Sequence, residues 1–282
     1  MIDAGAAAPE RALERPRRSA VLPLAGQVWW WVALTGQALF FIYLASFYAP
    51  VTLSGHFAAW NRNPMLLKGY VAGQTAWNLS FAAHVTLAAI VSFGGVMQLA
   101  APLRRRFPAV HRWNGRAFML AASIAGASGL WMTWFGGASV GGGGVIGSLA
   151  VSLDAVLIFA FAGVAWRTAR RRRFATHRRW ALRLFMAANG VWFLRLGLFG
   201  WYVLTGGLGL TDTLDGPANY GIDFAAYLVP LGLLELYLRA QDSASVRLKR
   251  GAAVATLAGS AYMIVGIAVL AHSQRHLVPI FP

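Results

Sequence analysis

Seven long apolar runs, separated by short clusters of Arg and Lys, constrain this chain more than any other feature of its sequence. A helix that spans a bilayer needs about 20 mainly apolar residues. Hydrophobic residues make up 58% of the 282 residues and charged residues only 12%, which is too apolar for a water-soluble domain. The predicted fold class is therefore all-α, a seven-helix transmembrane bundle. The predicted spans are 27–49, 74–101, 113–135, 147–166, 180–205, 222–238 and 251–271.

The distribution of positive charge predicts the orientation of this bundle. Of the 25 Lys and Arg residues, 21 lie in the first 26 residues and in the segments 104–116, 167–183 and 239–250. Because loops rich in Arg and Lys stay in the cytoplasm, we expect the N-terminus inside and the C-terminus outside the membrane. The net charge of +16 suggests anionic lipid headgroups as partners of these loops, and no nucleic acid.

The runs and loops divide the chain into four regions. Residues 1–26 lack apolar periodicity, which predicts a disordered cytoplasmic tail. Residues 27–73 are expected to form the first transmembrane helix and an outer loop, residues 74–205 a four-helix core, and residues 206–282 an outer loop and two C-terminal transmembrane helices. Cysteine is absent, which excludes disulfides, thiolate metal sites and covalently attached haem.

An internal repeat organises the predicted core. The segment RRRFPAVHRWNGR at 104–116 aligns with RRRFATHRRWALR at 171–183 when one residue is deleted between Phe and His. Each segment lies between two predicted spans. The second and third spans are therefore expected to form one hairpin, and the fourth and fifth a second hairpin related to it by duplication.

Residues in and around this repeat have the pattern of a known family. The pattern consists of His84 within a span, Gly95, Gln98, the pairs His111-Arg112 and Gly115-Arg116, and the run His177-Arg178-Arg179-Trp180 followed by Arg183. In these residues, over roughly 77–196, the chain resembles the bacterial family of predicted membrane proteins known as domain of unknown function number 2306 (DUF2306). The resemblance implies a multi-pass protein of a bacterial cytoplasmic (inner) membrane. It implies no activity, because the family has none to transfer.

The two repeated histidines are candidate ligands of a cofactor. His111 and His177 stand at matching positions, each at the cytoplasmic start of a predicted span. Two histidines at one depth on two helices are able to ligate the iron of a b-type haem. Small residues on the helix of His111 leave room for a macrocycle or for a neighbouring helix. The alternative is that both histidines and their neighbours only anchor the helix ends at the interface. The arginines expected to pair with haem propionates are Arg112, Arg116, Arg178 and Arg183.

Three ionisable residues fall inside predicted spans. At about 1.5 Å per residue, His84, Asp154 and Arg195 all lie in the outer half to middle of the bilayer. A charge there is costly unless it is paired, so we expect the three side chains to cluster. Such a cluster is able to exchange protons with a quinol or to hold a small ligand, with His84 as acid/base, Asp154 as its partner and Arg195 as an anion clamp. The alternative is a purely structural Asp154–Arg195 ion pair.

Two functions from different classes follow from these candidates. The first is a redox protein of the membrane that uses a b-type haem at His111 and His177, or a quinone, together with the buried polar cluster. The second is a non-enzymatic protein for transport, sensing or scaffolding, which binds a small ligand at that cluster.

Overall fold

The structure, a computed structural model, describes residues 20–63, 69–136 and 144–274. These residues form helices, turns and loops, and no strand occurs among them. A short 3-10 helix, Phe57–Arg62, follows the first α-helix. The α-helices are α1 (Val21–Leu53), α2 (Thr75–Leu99), α3 (Ala101–Arg106), α4 (Pro108–Trp134), α5 (Gly144–Arg170), α6 (Phe174–Ala188), α7 (Gly190–Thr205), α8 (Pro217–Asp242) and α9 (Val246–Gln274).

The number of spans agrees with the prediction of an all-α transmembrane bundle. Six helices are long and apolar enough to cross a membrane, namely α1, α2, α4, α5, α8 and α9. The consecutive helices α6 and α7, bent by 54° at their junction, make a seventh when they are counted together as one span. The first helix begins at Val21, so residues 21–26 are helical and do not belong to the predicted tail. Residues 1–19 of that tail lie outside the described residues.

The break between α6 and α7 has a local cause in the sequence. Asn189 separates the two helices, and its Nδ2 donates a hydrogen bond of 2.8 Å to the carbonyl oxygen of Phe185. Asn competes with the backbone in this way because its short amide reaches nearby carbonyl groups. Gly190 follows, and a β-carbon there would lie 2.6 Å from the Oδ2 atom of Asp154. The bend therefore lies at Asn189, whose amide binds the backbone, and at Gly190, where a side chain would collide with Asp154.

Both predicted hairpins are present, and other helices complete the bundle. α2 packs against α4, and α5 packs against α6. The helices α1, α2, α4, α5, α8 and α9 form a ring in which each packs against the next and α9 packs against α1. The bent α6–α7 pair packs against α5, α8 and α9. The main hydrophobic core also contains buried side chains of α1, including Phe40, Tyr43 and Phe47. The core is therefore not confined to the four spans of the repeat.

The two ends of the bundle differ in charge. We call the end that carries Arg104, Arg171 and Arg239 the basic end, and the other the opposite end. A loop at the opposite end, between α7 and α8, is organised by hydroxyl groups around Asp215. Thr213 Oγ1 and Thr211 Oγ1 donate hydrogen bonds of 2.6 Å and 2.7 Å to its Oδ1 atom. These bonds hold the pKa of Asp215 below its ordinary value.

Candidate functional site

One large cavity contains both repeated histidines. His111 lies in the first turn of α4 and His177 in the first turn of α6, so each ring projects from the start of a helix at the basic end. Both side chains line a cavity of about 1300 Å³. Its walls near the histidines include Trp29, Phe118 and Phe185. The structure therefore brings the two predicted ligands to the same cavity.

The two imidazole rings have different partners. The Nδ1 atom of His177 lies 2.9 Å from the carbonyl oxygen of Ala165. Since a carbonyl only accepts, Nδ1 is the donor, and in the neutral imidazole this leaves the lone pair on Nε2. The Nδ1 atom of His111 is buried and has no hydrogen-bond partner among the described residues. Instead, the backbone carbonyl of His111 accepts a hydrogen bond of 2.8 Å from Gln98 Nε2.

The arginines around this cavity are not all placed as predicted. Arg178 lines the cavity, and so does Arg104, which the sequence reasoning did not select. Arg183 forms a bidentate ion pair with Glu235, at 2.6 Å and 2.9 Å. The guanidinium of Arg116 lies over the ring of Trp113, 4.7 Å from its centroid. Arg112 is exposed and does not line the cavity.

The small residues of α4 lie close to neighbouring helices, and Gly115 also lines the cavity. A β-carbon at Gly115 would lie 3.1 Å from Gln98 Nε2, and one at Gly126 would lie 3.6 Å from the ring of Phe159. A β-carbon at Gly129 would lie 3.7 Å from the ring of His84. Of the two uses that the sequence left open for this face, the structure shows contact with neighbouring helices.

Asp154 does not join His84 and Arg195 in the predicted cluster. The described residues contain two ion pairs, Arg183–Glu235 and Arg179–Asp242, and neither involves a member of this cluster. Residues five positions apart on a helix point about 140° away from each other. Gly190, which contacts Asp154, and Arg195 are five apart on α7, so the carboxylate and the guanidinium lie on different sides of that helix.

Asp154 belongs to a second group of polar side chains on α5 and α8. Its Oδ1 atom is buried without a hydrogen-bond partner among the described residues, and the same holds for Oδ2 of Asp223. Tyr227 interacts electrostatically with both carboxylates, and its hydroxyl donates a hydrogen bond of 3.2 Å to the carbonyl of Ala150. We call Asp154, Asp223 and Tyr227 the carboxylate group.

His84 and Arg195 lie on the other side of α7. The Nδ1 atom of His84 is 2.9 Å from Ser128 Oγ, and that hydroxyl is also 2.9 Å from the carbonyl oxygen of Ala125. The guanidinium carbon of Arg195 lies 5.2 Å from the ring centroid of Phe40. Arg195 interacts electrostatically with His84, so two of the three residues of the predicted cluster lie together. It also interacts electrostatically with Tyr43 and Tyr48.

Buried amides connect the bend of α6–α7 to α1. Gln37 is fully buried, and its Nε2 donates a hydrogen bond of 2.7 Å to Oδ1 of Asn189. The sequence reasoning did not select Gln37, because a single amide within an apolar run has no partner that spacing reveals. Ser128 was missed for the same reason.

A comparison with family models finds one family for part of the chain. Residues 81–213 match the model described as predicted membrane protein (DUF2306). The matched stretch is a little less than half of the chain. The match extends from α2 into the loop after α7, so it contains both copies of the repeat and confirms the resemblance predicted from them. A search of the curated proteins and a search of the solved structures returned no match. The chain is thus a multi-pass membrane protein whose DUF2306 region forms the bent span and both hairpins.

Proposed function

We propose that this protein is a redox protein of the membrane in which His111 and His177 ligate one b-type haem. The observation that carries the proposal is that both histidines line the same cavity at the basic end. The hydrogen bond from His177 Nδ1 to Ala165 supports it, because histidines that bind metals commonly donate their other nitrogen to a carbonyl. Haem bound there would supply one-electron transfer.

The lining of the cavity suits a planar, mostly apolar group with acidic ends. The aromatic rings of Trp29, Phe118 and Phe185 provide apolar walls. Arg104 and Arg178 line the cavity and are the arginines that would pair with the haem propionates. Of the four arginines expected from the sequence, Arg178 alone lines it. Arg183 and Arg116 are engaged with Glu235 and Trp113 and do not have this role.

The same cavity offers a path for a lipophilic electron donor. Beyond the histidines it continues along α7, α8 and α9 to Trp201 and Pro217, near the opposite end. Binding sites for apolar molecules are lined mainly by apolar side chains with a few polar groups. We propose a quinone or quinol as the small molecule that exchanges electrons with the haem.

The excess of arginines at the basic end supports an orientation with that end in the cytoplasm of a bacterial inner membrane. In this orientation the exposed side chains Arg105, Arg112 and Arg171 lie where anionic headgroups are available. A reporter enzyme that is active only outside the cytoplasm, fused after residue 274, is expected to be active. Activity of the reporter only when it is fused before residue 20 would reverse the orientation.

Absorption spectra of the purified protein and its histidine variants test the haem proposal. In detergent, the wild-type protein is expected to show sharp haem bands after reduction with dithionite. His111→Ala and His177→Ala are each expected to lose these bands. His56→Ala, which changes an exposed histidine at the opposite end, and His84→Ala are expected to keep them.

The design separates loss of haem from loss of fold. Each variant is expected to retain the helix content and the elution volume of the wild-type protein. Haem bands of full intensity in both His111→Ala and His177→Ala would overturn the proposal. A featureless wild-type spectrum after expression with added haem would also overturn it.

A different observation favours the second function, movement of a small ligand across the membrane. Broken helices next to buried charged groups are typical of transporters. Here the bend of 54° in α6–α7 places Gly190 against the carboxylate of Asp154. If the protein carries protons, liposomes that contain it will acidify in a pH gradient, and Asp154→Asn will abolish the flux. Asp215→Asn, which changes an exposed carboxylate, is the matched control.

A further inference from the structure

Arg195 is a cation within a span that has no anionic partner in the described part of the chain. No described Asp or Glu lies within ion-pair distance of it. Its Nη1 donates a hydrogen bond to the carbonyl of Val191 that is long, at 3.4 Å. Its guanidinium carbon also lies over the face of the Phe40 ring. A charged side chain within a bilayer is costly unless it is paired or hydrated, so this position calls for a counter-ion.

Several hydrogen-bond donors lie in the surroundings of Arg195. Asn63 Nδ2 donates to the hydroxyl oxygens of Tyr43 and Tyr48, at 2.7 Å each. Each of these hydroxyls also carries a hydrogen that it is able to donate. The indole Nε1 of Trp60 is buried without a hydrogen-bond partner among the described residues, although Trp60 is only 1% exposed.

These donors lie close to one another below the opposite end of the bundle. The ring of Trp60 packs on Phe81, at 5.1 Å between centroids, and Phe81 packs on Tyr48, at 6.1 Å. Tyr43 and Tyr48 both interact electrostatically with Arg195. The guanidinium, the two hydroxyls and the indole therefore belong to one region, in which no described carboxylate pairs with the guanidinium.

Arg195 is partly exposed on α7. Val191 precedes Arg195 by four residues, so it lies on the same face of the helix. Val191 is 43% exposed, and the side chains of Arg195 and His84 are half-buried. The guanidinium therefore lies beside Phe40 of α1 and His84 of α2 and keeps part of its surface exposed.

We propose that Arg195, the hydroxyls of Tyr43 and Tyr48, and His84 form a binding site for a small carboxylate. The planar fork of Arg matches the two oxygens of a carboxylate, which explains why this class is favoured over a halide. His84 supplies a ring nitrogen beyond the one that contacts Ser128. This inference goes beyond the proposed haem site and requires no cofactor, because it concerns other residues of the bundle.

Thermal unfolding of the purified protein in detergent tests this site with acetate as the probe. Sodium acetate is exchanged for sodium chloride or sodium phosphate at constant ionic strength. A ligand that binds only the folded protein raises the Tm, and a concentration about tenfold above Kd is expected to raise it by about 3 °C. The expected result is a saturable rise with acetate that is absent from the chloride and phosphate series.

Variants assign the effect to the site. Arg195→Gln is expected to abolish the rise, whereas Arg250→Gln, which changes an exposed arginine at the basic end, is expected to keep it. Tyr43→Phe and Tyr48→Phe remove only a hydroxyl and are each expected to weaken acetate binding severalfold. They provide the test if Arg195→Gln fails to fold.

Three results would overturn the proposal. These are equal shifts with all three anions, no shift with acetate, and an acetate shift that the tyrosine variants and a folded Arg195→Gln leave unchanged. None of these results depends on haem content, so failure of this site is distinguishable from failure of the haem proposal.

Discussion

The two copies of the basic repeat have similar sequences but are held in the bundle by different interactions. In the first copy, residues 104–116, amide side chains bind backbone carbonyls of α2 and α4. Asn114 Nδ2 donates to the carbonyl of Gly94, and Gln98 Nε2 donates to that of His111, both at 2.8 Å. In the second copy, residues 171–183, Arg179 and Arg183 form ion pairs with α8. The two copies share the motif, whereas the ion-pair partners of the second copy come from α8, which follows the repeat in the chain.

The arginine that follows each Trp shows this difference most clearly. Arg116 and Arg183 each lie over the Trp three residues earlier, at 4.7 Å and 4.6 Å from its ring centroid. Trp113 is 68% exposed, whereas Trp180 packs on Phe161 at 5.6 Å. The stacked pair Arg116–Trp113 of the first copy is therefore exposed. The stacked pair Arg183–Trp180 of the second copy links α6 to α5 through Phe161 and to α8 through Glu235.

The deletion that aligns the histidines shifts the two Trp residues out of register, and the alignment of Trp113 with Trp180 needs no deletion but leaves the histidines one position apart. His111 is two residues before Trp113, and His177 is three residues before Trp180. One residue rotates a side chain by about 100° around a helix. The two rings also differ in their hydrogen bonds. Nδ1 of His177 binds the carbonyl of Ala165, whereas Nδ1 of His111 has no hydrogen-bond partner among the described residues.

The largest effect is expected from removing the ion pair of the second copy. Arg183→Gln leaves Glu235 without its partner, and the Arg183 side chain is only 18% exposed. We expect the free energy of unfolding to fall by about 2 kcal/mol. The matched change in the first copy, Arg116→Gln, removes only an exposed stack and is expected to cost about 0.5 kcal/mol. Chemical unfolding in detergent measures both, and equal losses would contradict the comparison.

A smaller effect is expected from the amide of the first copy. Asn114→Ala removes the donor to Gly94 and is expected to lower the free energy of unfolding by about 1 kcal/mol. Asn114→Asp keeps the shape of the side chain without its N–H, so it controls for lost packing. If the hydrogen bond holds this hairpin together, the two variants will be destabilised alike. A much milder loss with Asp would assign the effect to packing.

The smallest effect is expected from the exposed ion pair of the second copy. Arg179 and Asp242 lie 2.6 Å apart, but their side chains are 38% and 59% exposed. Pairs of this kind contribute about 0.5 kcal/mol or less, because water and salt screen them. Asp242→Asn is therefore expected to change the unfolding midpoint only at low salt. A large loss of unfolding free energy that persists at high salt would show that this pair stabilises the protein as much as Arg183–Glu235 does.

The sequence predicts the spans and hairpins well because both depend on local properties. Apolar length determines where the helices lie, and the repeated segments reveal which helices are neighbours. The bend at Asn189 was not predicted, because a single amide does not interrupt an apolar run. The pairing of Asp154 with Arg195 was wrong, since it depends on the rotation of α7 about its axis. Arg183 was misassigned because its partner, Glu235, comes from a helix outside the repeat.

The haem content of the wild-type protein tests the central claim most directly. The account predicts that protein purified from haem-supplemented cells shows a reduced-minus-oxidised spectrum typical of a b-type cytochrome. It also predicts a pyridine haemochrome assay with one haem per chain. Protein that is folded, monodisperse and free of haem under these conditions would contradict the account. His111 and His177 would then be anchors of the helix ends at the basic end of the bundle.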